Sequence, residues 1–353
     1  MKELNVRGLK RSYDILIERN SIHQLGEKTA EVIKANKILL LSDRNVYDIY
    51  GDIAMQSLEG YGYQVIEYII EPGESSKSME NFSKILEFMA KYNFTRSDAL
   101  VALGGGVVGD LGGFVASSYM RGIEWIQCPT SLLAQVDSSV GGKVAVNLSA
   151  GKNLVGAFYN PTRVVIDSNT LDTLSDERLL DGLAEVIKYG CIWDEEFFEF
   201  LEGGSGIEFV RAESDYIVER CCNIKKEVVE TDEFDRGQRM ILNFGHTLGH
   251  GIEAFYNYES ITHGYAVAIG MALITDYTEN YLGFTKSGSF ERITNILKKY
   301  KLPYSEDLEI IRASLDRVKR DKKVINGKLN LILLEKIGKA IYKSCDIERE
   351  FWQ

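Results

Sequence analysis

Hydrophobic and polar positions follow two alternating periods along the first half of the chain. Apolar runs of strand length are separated by stretches with the helical period of 3.6 residues, at 46–59 and 78–92. A further helix is predicted through VVGDLGGFVASSY. This alternation predicts a parallel sheet with helices on both faces, in which ligands bind near the carboxyl ends of the strands. The predicted strands are KILLLSD (37–43), YQVIEYII (63–70), DALVALGGG (98–106), WIQCPT and RVVID (163–167).

The pattern becomes helical after residue 168. Long amphipathic stretches follow, including LSDERLLDGLAEVIKYG, SDYIVERCCNIKKEVVE and the segment LNFGHTLGHGIEAF (242–255). We therefore predict two domains. The first, over 1–168, is an α/β nucleotide-binding domain with a parallel, Rossmann-like sheet, and the second, over 169–353, is an all-α domain.

Charge and composition narrow the classes of function. The net charge of −11 over 353 residues disfavours nucleic acid and anionic membranes as partners. The apolar stretches are too short to cross a bilayer, and the N-terminus MKELNVRGLKRSYD does not resemble a secretory signal. The five cysteines show no paired metal-type spacing, which is typical of reduced thiols in a cytoplasmic protein. In so acidic a chain, an anion site requires a local concentration of cations.

A glycine-rich turn follows the strand at 98–106. Gly104, Gly106 and Gly109 match the pattern GxGxxG at the start of a predicted helix, where free backbone amides favour a phosphate. The pattern equally fits a tight strand–helix turn without a ligand. Asp43, at the end of KILLLSD, is well placed to accept hydrogen bonds from a ribose, or is simply solvated.

Three of the four histidines lie within residues 246–263. Positions 243, 246, 250, 253 and 257 form one polar stripe of a predicted helix, which a metal or a substrate would satisfy. Hydrogen-bonded core histidines are the alternative, but the clustering favours a metal. Glu185 lies in an apolar helix with Lys188 at i+3, so both project from one face. A carboxylate with two imidazoles suits a catalytic zinc-like ion.

Several cations lie in motif-like surroundings with few other charges. Lys143 follows a double glycine and Lys152 follows a glycine, which is typical of phosphate or carboxylate recognition on tight loops. Together with a metal, these cations predict a pocket for a small, multiply anionic substrate. Arg121 and Arg239 are the other cations of this kind, while Lys225 precedes VVETDE and Lys322 and Lys323 lie in RDKKVINGK.

Many longer motifs resemble those of the 3-dehydroquinate synthase family of sugar-phosphate cyclases. They span essentially the whole chain: EPGESSKS, LGGGVVGDLGGF, YMRGIEWIQCPTSLLAQVDSSVGGK, GKNLVGAFYNP, LAEVIKYG, KxEVVxxDExxxGxR, LNFGHTLGHGIE, THGYAVAIGM and DKK. The resemblance implies a nucleotide-binding α/β domain followed by a helical metal domain, with NAD and a divalent metal (zinc or cobalt) as cofactors. It also implies a homodimer, and the N-terminus without a signal-like segment predicts a cytoplasmic location.

The implied reaction is a carbon–oxygen lyase step of the shikimate pathway, which leads to chorismate and the aromatic amino acids. 3-Deoxy-D-arabino-heptulosonate 7-phosphate would be converted to 3-dehydroquinate and phosphate. The steps are transient oxidation by NAD, β-elimination of phosphate, re-reduction and an intramolecular aldol cyclisation. Because no net oxidation occurs, NAD would stay bound as a catalyst.

The resemblance also assigns residues. Glu185, His246 and His263 match the family's metal ligands, whereas His250 matches a residue that contacts substrate. The remaining substrate positions are Arg121, Asp137, Lys143, Asn153, Lys188, Lys225, Arg239 and one lysine of the Lys322–Lys323 pair. The cofactor positions are Asp43, Glu74, Lys77, Gly105, Gly106, Val107, Gly109, Asp110, Thr130, Ser131, Lys143, Lys152, Thr170, Leu171 and Thr173.

The chain departs from the family's pattern in two places. GGKVAVN stands where GGKTGVN is common, and Asp235 stands where a glutamate is common. Three alternative functions remain: a metal-dependent polyol dehydrogenase of the glycerol dehydrogenase type, another sugar-phosphate cyclase such as an inosose or valiolone synthase, and a non-catalytic protein that retains the fold. The basic residues disfavour the first alternative. Arg239, as a reader of the substrate carboxylate, and the SSVGG segment disfavour the second.

Overall fold

The protein is described by a computed structural model that covers residues 1–8, 11–235, 237–257, 260–320 and 328–346. The chain groups into two compact units, Met1–Leu174 with Ser214–Phe234, and Ser175–Glu213 with Asp235–Gln353. The division into domains after residue 168 stays a prediction. The first compact unit ends at Leu174 and the second begins at Ser175. Residues 214–234 belong to the first unit.

The first unit contains a seven-stranded sheet with the strand order β1-β2-β9-β6-β5-β3-β4. Neighbouring strands are parallel except for β1, which pairs antiparallel with β2. This confirms the predicted parallel sheet. The strands are β1 (Lys2–Val6), β2 (Tyr13–Ile17), β3 (Lys37–Asp43), β4 (Gln64–Ile70), β5 (Ala99–Gly104), β6 (Glu124–Pro129) and β9 (Arg163–Ile166).

Helices cover both faces of this sheet, as β3 illustrates. Successive side chains of a strand point to opposite faces. Leu39 and Leu41 pack in one apolar cluster with Leu111, whereas Ile38 and Leu40 pack in another with residues of the helix at 44–60. The helices of this unit are α1 (Leu25–Ala30), α2 (Arg44–Gly60), α3 (Met79–Lys91), α4 (Gly106–Ser118) and α8 (Ser214–Thr231).

A separate two-stranded hairpin, β7 (Lys143–Leu148) with β8 (Gly151–Phe158), lies where the sequence predicted tight loops. The expectation that Lys143 and Lys152 lie on loops is therefore wrong, since both lie in strands. The physical reason is the alternation along β7, where Val144 and Val146 are buried while Lys143 is exposed.

The second unit is helical, as predicted, and carries in addition one hairpin of β10 (Lys328–Lys336) and β11 (Lys339–Asp346). Among the described residues, no helix combines the length and the apolar character needed to cross a bilayer. The helices of this unit are α5 (Asp176–Ile192), α6 (Glu195–Gly203), α7 (Gly206–Ala212), α9 (His246–Phe255), α10 (His263–Asp276), α11 (Ser289–Lys299) and α12 (Leu308–Arg320).

The helix of the histidine segment is shorter than the sequence pattern predicted. Gly245 has a left-handed φ of 77° and lies immediately before α9, and Asn243 belongs to a preceding 3₁₀ turn. Asn257 has a φ of 52° and lies beyond the end of α9. The predicted five-residue stripe is therefore wrong at both ends, and only His246, His250 and Glu253 share the helix.

Glycines bring α9 and α10 close together. A Cβ added to Gly270 would lie 2.1 Å from the carbonyl oxygen of Gly245, and one on Gly249 would lie 3.1 Å from that of Ala266. Only glycine permits an approach this close at position 270. Because His246 and His263 are the first residues of these two helices, this packing brings both imidazoles to one place.

Candidate metal centre and nucleotide-binding turn

Three predicted metal ligands from α5, α9 and α10 meet in the second unit. The Nε2 atoms of His246 and His263 each lie 3.3 Å from Oε1 of Glu185. These three ligand atoms lie within 4.8 Å of one another. Ligands of a tetrahedral ion with bonds of about 2.0–2.1 Å are separated by about 3.3 Å, so the spacing fits a zinc-like ion.

The surroundings of Glu185 show whether Glu185, His246 and His263 could hold a cation. Its side chain is completely buried, and its Oε2 forms an ion pair with Lys188, the i+3 neighbour predicted to share its face. Neither carboxylate oxygen has a hydrogen bond of ordinary geometry within the part of the chain that the structure describes. A buried carboxylate is costly unless its oxygens find partners, and a divalent ion supplies such a partner.

The charge states of Glu185 and His246 suit a cation, whereas His263 would have to release a proton to bind one. Burial alone would raise the pKa of Glu185, but Lys188 and His246 hold that pKa well below its usual range. Burial lowers the pKa of His246, which keeps a lone pair on its ring. Burial also lowers the pKa of His263, but the nearby carboxylates of Glu185 and Glu253 outweigh it and raise that pKa to about 10.

The far nitrogen of each imidazole is engaged by the protein. Nδ1 of His246 lies 3.0 Å from the carbonyl oxygen of Phe244, and Nδ1 of His263 lies 3.2 Å from Oε2 of Glu253. A histidine whose Nδ1–H donates to such an acceptor presents the lone pair of Nε2. Both rings thus direct Nε2 towards Glu185.

His250 lies beside the metal group and outside it. Its ring centroid is 5.4 Å from that of His246 and 6.0 Å from that of His263. It belongs to a second group of potential ligands, with Glu253 and His263. In the same unit, Arg239 is 2% exposed, a burial that requires anionic or polar partners for its guanidinium. Lys322 and Lys323 lie outside the described residues.

In the first unit, the predicted glycine turn joins β5 to α4. Gly105 precedes the helix and supplies no side-chain cap, so the first amides of α4 are left to other acceptors. A Cβ on Gly105 would meet Oγ of Ser131 only at 3.5 Å, whereas one on Gly109 would lie 2.2 Å from Nε2 of Gln127. A Cβ at Gly105 would thus make only an ordinary contact, whereas the absence of a Cβ at Gly109 allows α4 to pack against β6.

Charged residues around this turn are paired with one another. Lys77, which is 5% exposed, forms an ion pair with Asp110 of α4 through its Nζ. Burial raises the pKa of Asp110 although the charge of Lys77 opposes it. Oε1 of Glu74 accepts a hydrogen bond of 2.7 Å from the amide of Asn147, a residue that the site prediction omitted. The structure therefore brings Glu74, Lys77, Asp110 and Asn147 close to one another beside α4.

Other predicted cofactor residues have structural partners. Oδ1 of Asp43 caps α2 by accepting from the amide of Val46 at 3.2 Å. The hydroxyl of Thr170 accepts from Nε2 of buried Gln135 at 2.9 Å. Leu171 is completely buried, so its side chain belongs to the core. Thr173 is exposed, and its hydroxyl is 2.7 Å from that of Tyr50.

Two predicted substrate residues of the first unit meet directly. Nζ of Lys225, on α8, donates to Oδ1 of Asp137 at 2.8 Å and to its carbonyl oxygen at 2.6 Å. Lys143 and Asn153 are exposed on the β7–β8 hairpin. Arg121 is exposed in a strained turn, with φ of 68° after 49° at Met120. Within the described ranges, Arg121 forms no hydrogen bond or ion pair with the other predicted positions.

Comparison with known proteins shows the family to which the chain belongs. Residues 67–181 match the family of 3-dehydroquinate synthase N-terminal domains, and residues 182–324 match the corresponding C-terminal domains. A 3-dehydroquinate synthase of Clostridium botulinum is 49% identical over 348 residues, which cover 99% of both chains. The chain belongs to the 3-dehydroquinate synthase family. The family resemblance drawn from the motifs is thus confirmed.

Solved structures similar to this synthase-family chain include other sugar-phosphate cyclases. A 2-deoxy-scyllo-inosose synthase, described as complexed with carbaglucose-6-phosphate, NAD+ and Co2+, is 25% identical with a TM-score of 0.88, and 98% of this chain and 97% of the other are covered. A 2-epi-5-epi-valiolone synthase from Streptomyces hygroscopicus, with NAD+ and Zn2+ bound, is 26% identical with a TM-score of 0.85, at 98% and 96% coverage. The predicted fold class is confirmed.

Sequence reasoning missed some residues that build the site in this family member. Glu253 was noticed only as part of a polar stripe, and Asp181, which accepts from the amide of Gly264 at 2.6 Å, was not singled out. Asp181 precedes Glu185 by one helical turn, which was the available signal. The carbonyl of Phe244 carries no side-chain signal at all.

Proposed function

We propose that this chain is a 3-dehydroquinate synthase that converts 3-deoxy-D-arabino-heptulosonate 7-phosphate to 3-dehydroquinate and phosphate. The observation that carries the proposal is the buried carboxylate of Glu185, with both oxygens short of hydrogen bonds and two imidazoles 3.3 Å away. It occurs in a chain that is about half identical to synthases over its whole length. The fold alone would leave the chemistry open.

The proposed cofactors are NAD and one divalent ion, zinc or cobalt. Glu185, His246 and His263 would hold the ion, with the carbonyl of Phe244 and the carboxylate of Glu253 fixing the two rings. When bound, the ion polarises a substrate oxygen and the nicotinamide accepts and returns a hydride.

The first unit contributes the proposed dinucleotide site. The amides at the start of α4, after Gly105, would donate to the pyrophosphate, because helix N-termini attract anions. The ion pair of Lys77 with Asp110 would hold the flank of this turn. The close likeness to cyclases that bind NAD+ supports this assignment.

Cations would hold the anionic groups of the substrate. Lys188, 1% exposed, adds a positive charge beside the metal ligands, and buried Arg239 offers a planar fork that suits a carboxylate. Lys225 is oriented by Asp137, which it contacts twice. The remaining proposed substrate residues are Arg121, Lys143, Asn153, His250 and one of Lys322 and Lys323.

The test is a paired assay of phosphate and 3-dehydroquinate formed from the heptulosonate phosphate, with and without a chelator. We expect equal amounts of both products, no accumulation of NADH, and loss of both products with chelator. Net NADH formation with a polyol would favour a dehydrogenase instead. Phosphate release only from a hexose or heptulose phosphate that lacks the carboxylate would favour another cyclase.

A cytoplasmic location and a homodimer are also proposed. Cys128, Cys191 and Cys222 are buried cysteines outside any disulfide, which suits a reducing compartment. Family resemblance supports the dimer. Light scattering after size-exclusion chromatography would test it, since a monomer at all concentrations would contradict the proposal.

A further inference from the structure

We propose that Glu253 is a positioning residue of the metal centre. Its carboxylate accepts the hydrogen bond of His263 Nδ1 and so sets the direction in which His263 offers Nε2 to a divalent cation. This inference rests on the proposed function, because it assumes that Glu185, His246 and His263 hold the ion.

The geometry of Glu253 fits this role. Its Oε2 lies 3.2 Å from Nδ1 of His263, and the other nitrogen of that ring lies 3.3 Å from Oε1 of Glu185. The imidazole is therefore held between two carboxylates, one on each nitrogen. Glu253 is 2% exposed, and burying a carboxylate is unfavourable unless a partner compensates for the lost hydration.

Of the three ligands, His263 has the greatest need of such support. Its side chain is 30% exposed, against 13% for His246 and 0% for Glu185. The ring of His246 is anchored by the main-chain carbonyl of Phe244, only two residues before it. The ring of His263 is anchored instead by the side chain of Glu253, from the neighbouring helix.

The backbone of His263 is fixed independently of its ring. Oδ1 of Asp181 accepts from the amide of Gly264 at 2.6 Å and so ties the start of α10 to α5, one turn from Glu185. A Cβ on Gly264 would lie 1.9 Å from the carbonyl oxygen of Asp181, so the two backbones touch there. With the backbone held, the rotation of the ring remains, and Glu253 contacts the ring at Nδ1 while Glu185 faces its Nε2.

Glu253 also belongs to a second group of potential ligands, with His250 and His263. A second ion there would need the same Nδ1 of His263 that faces the carboxylate of Glu253. A nitrogen that donates a proton has no lone pair for a metal. The geometry therefore favours one ion with Glu253 as its support over two ions.

The test compares Co2+ binding by wild type, Glu253→Ala, Glu253→Gln and a control, Glu279→Gln. The glutamine keeps the volume and an acceptor oxygen for His263, whereas the alanine removes the hydrogen bond. The control removes a carboxylate that instead accepts from the amides of Gly288 and Phe290 at the start of α11. Affinity is measured by equilibrium dialysis, the ligand field by visible absorption, and folding of the metal-free proteins by circular dichroism.

We expect wild type to bind one Co2+ per chain. Glu253→Ala should bind about 10–100-fold more weakly, as is typical when the hydrogen-bond partner of a metal-binding histidine is lost, and its absorption bands should shift. Glu253→Gln should recover most of the affinity and the wild-type bands, and Glu279→Gln should match wild type.

Unchanged affinity and bands in a folded Glu253→Ala variant would overturn the inference alone. Two Co2+ per wild-type chain, with one lost in Glu253→Ala, would make Glu253 a ligand and would also overturn it. Failure of wild type to bind Co2+ would instead overturn the proposed metal centre. If Glu253→Ala does not fold, Glu253→Gln is the deciding variant. Its amide oxygen should replace the carboxylate as acceptor for His263 Nδ1, so wild-type affinity with altered absorption bands would contradict a positioning role.

Discussion

The polar residues of the two units differ in how completely the protein satisfies them. Around the glycine turn of the first unit, Lys77 is paired with Asp110, and Lys225 is paired with Asp137. In the second unit, Glu185 is completely buried and has no ordinary hydrogen bond on either oxygen among the described residues. The charged groups of the first unit satisfy one another, whereas Glu185 has one oxygen paired with Lys188 and the other facing two imidazoles, where a divalent cation would complete its partners.

The largest expected effect follows from removing a metal ligand. His246→Ala should weaken metal binding by about a thousandfold. This corresponds to about 4 kcal/mol, or a third of the roughly 12 kcal/mol of binding free energy typical of structural zinc sites. Metal content after dialysis is the measurement. His23→Ala, at the exposed fourth histidine in the first unit, is the matched control and should retain the metal.

The His250→Ala variant tests whether His250 is a metal ligand or only a neighbour of the ion. Because the His250 ring lies beside the metal group without joining it, the variant should keep its metal and lose turnover by at least about a hundredfold. Metal content and the rate of phosphate release are measured on the same sample. Loss of metal from this variant would contradict the division of roles among the three histidines.

Breaking the ion pair beside the glycine turn should affect stability. Lys77→Met leaves Asp110 buried without its cation and should cost about 3–5 kcal/mol in the free energy of unfolding at neutral pH. The pKa of Asp110 is already above its ordinary value of 3.8 and should rise further. A group with a raised acid pKa loses stability as pH rises, so the cost should shrink towards acid pH.

Denaturant unfolding of this variant at several pH values gives the measurement. The double variant Lys77→Met/Asp110→Asn is the control and should recover part of the loss. A cost that stays constant from acid to neutral pH would show that Asp110 is not the cause.

Two glycine substitutions should give the smallest effects. One should lower stability, and the other should lower NAD affinity. Gly109→Ala places a Cβ 2.2 Å from the buried side chain of Gln127 and should destabilise by about 1–3 kcal/mol. Gly105→Ala meets only Ser131, at 3.5 Å, and should leave stability within about 0.5 kcal/mol.

Gly105→Ala should nevertheless lower NAD affinity by about tenfold, the equivalent of one hydrogen bond to a charged group. Calorimetric titration with NAD, beside thermal unfolding, measures both effects. Equal NAD affinity in this variant and wild type would contradict a pyrophosphate site at the turn.

The strands of the parallel sheet could be predicted because each is a continuous apolar run, as in KILLLSD, where Ile38 to Leu41 are completely buried. The β7–β8 hairpin was missed because glycines drew attention to turns, although the alternation of Val144 and Val146 was visible. The hydrophobic pattern, continuous in β3 and alternating in β7, is thus a better guide than the glycines.

The candidate metal ligands could be predicted only as residue types and spacing. The i+3 relation of Glu185 and Lys188 gave their contact directly, because both lie in one helix. Helix spacing also paired His246 with His250, yet the ring that faces Glu185 beside His246 is that of His263. That arrangement depends on how closely α9 and α10 approach at Gly270, which is a tertiary property.

The most direct test of the metal centre is a crystal structure of the protein loaded with Co2+ or Zn2+, with the metal located by anomalous scattering. We expect one peak per chain, at about 2.0–2.2 Å from Glu185, from Nε2 of His246 and from Nε2 of His263. A peak bound by His250 and Glu253 instead, or none at Glu185, would contradict the account.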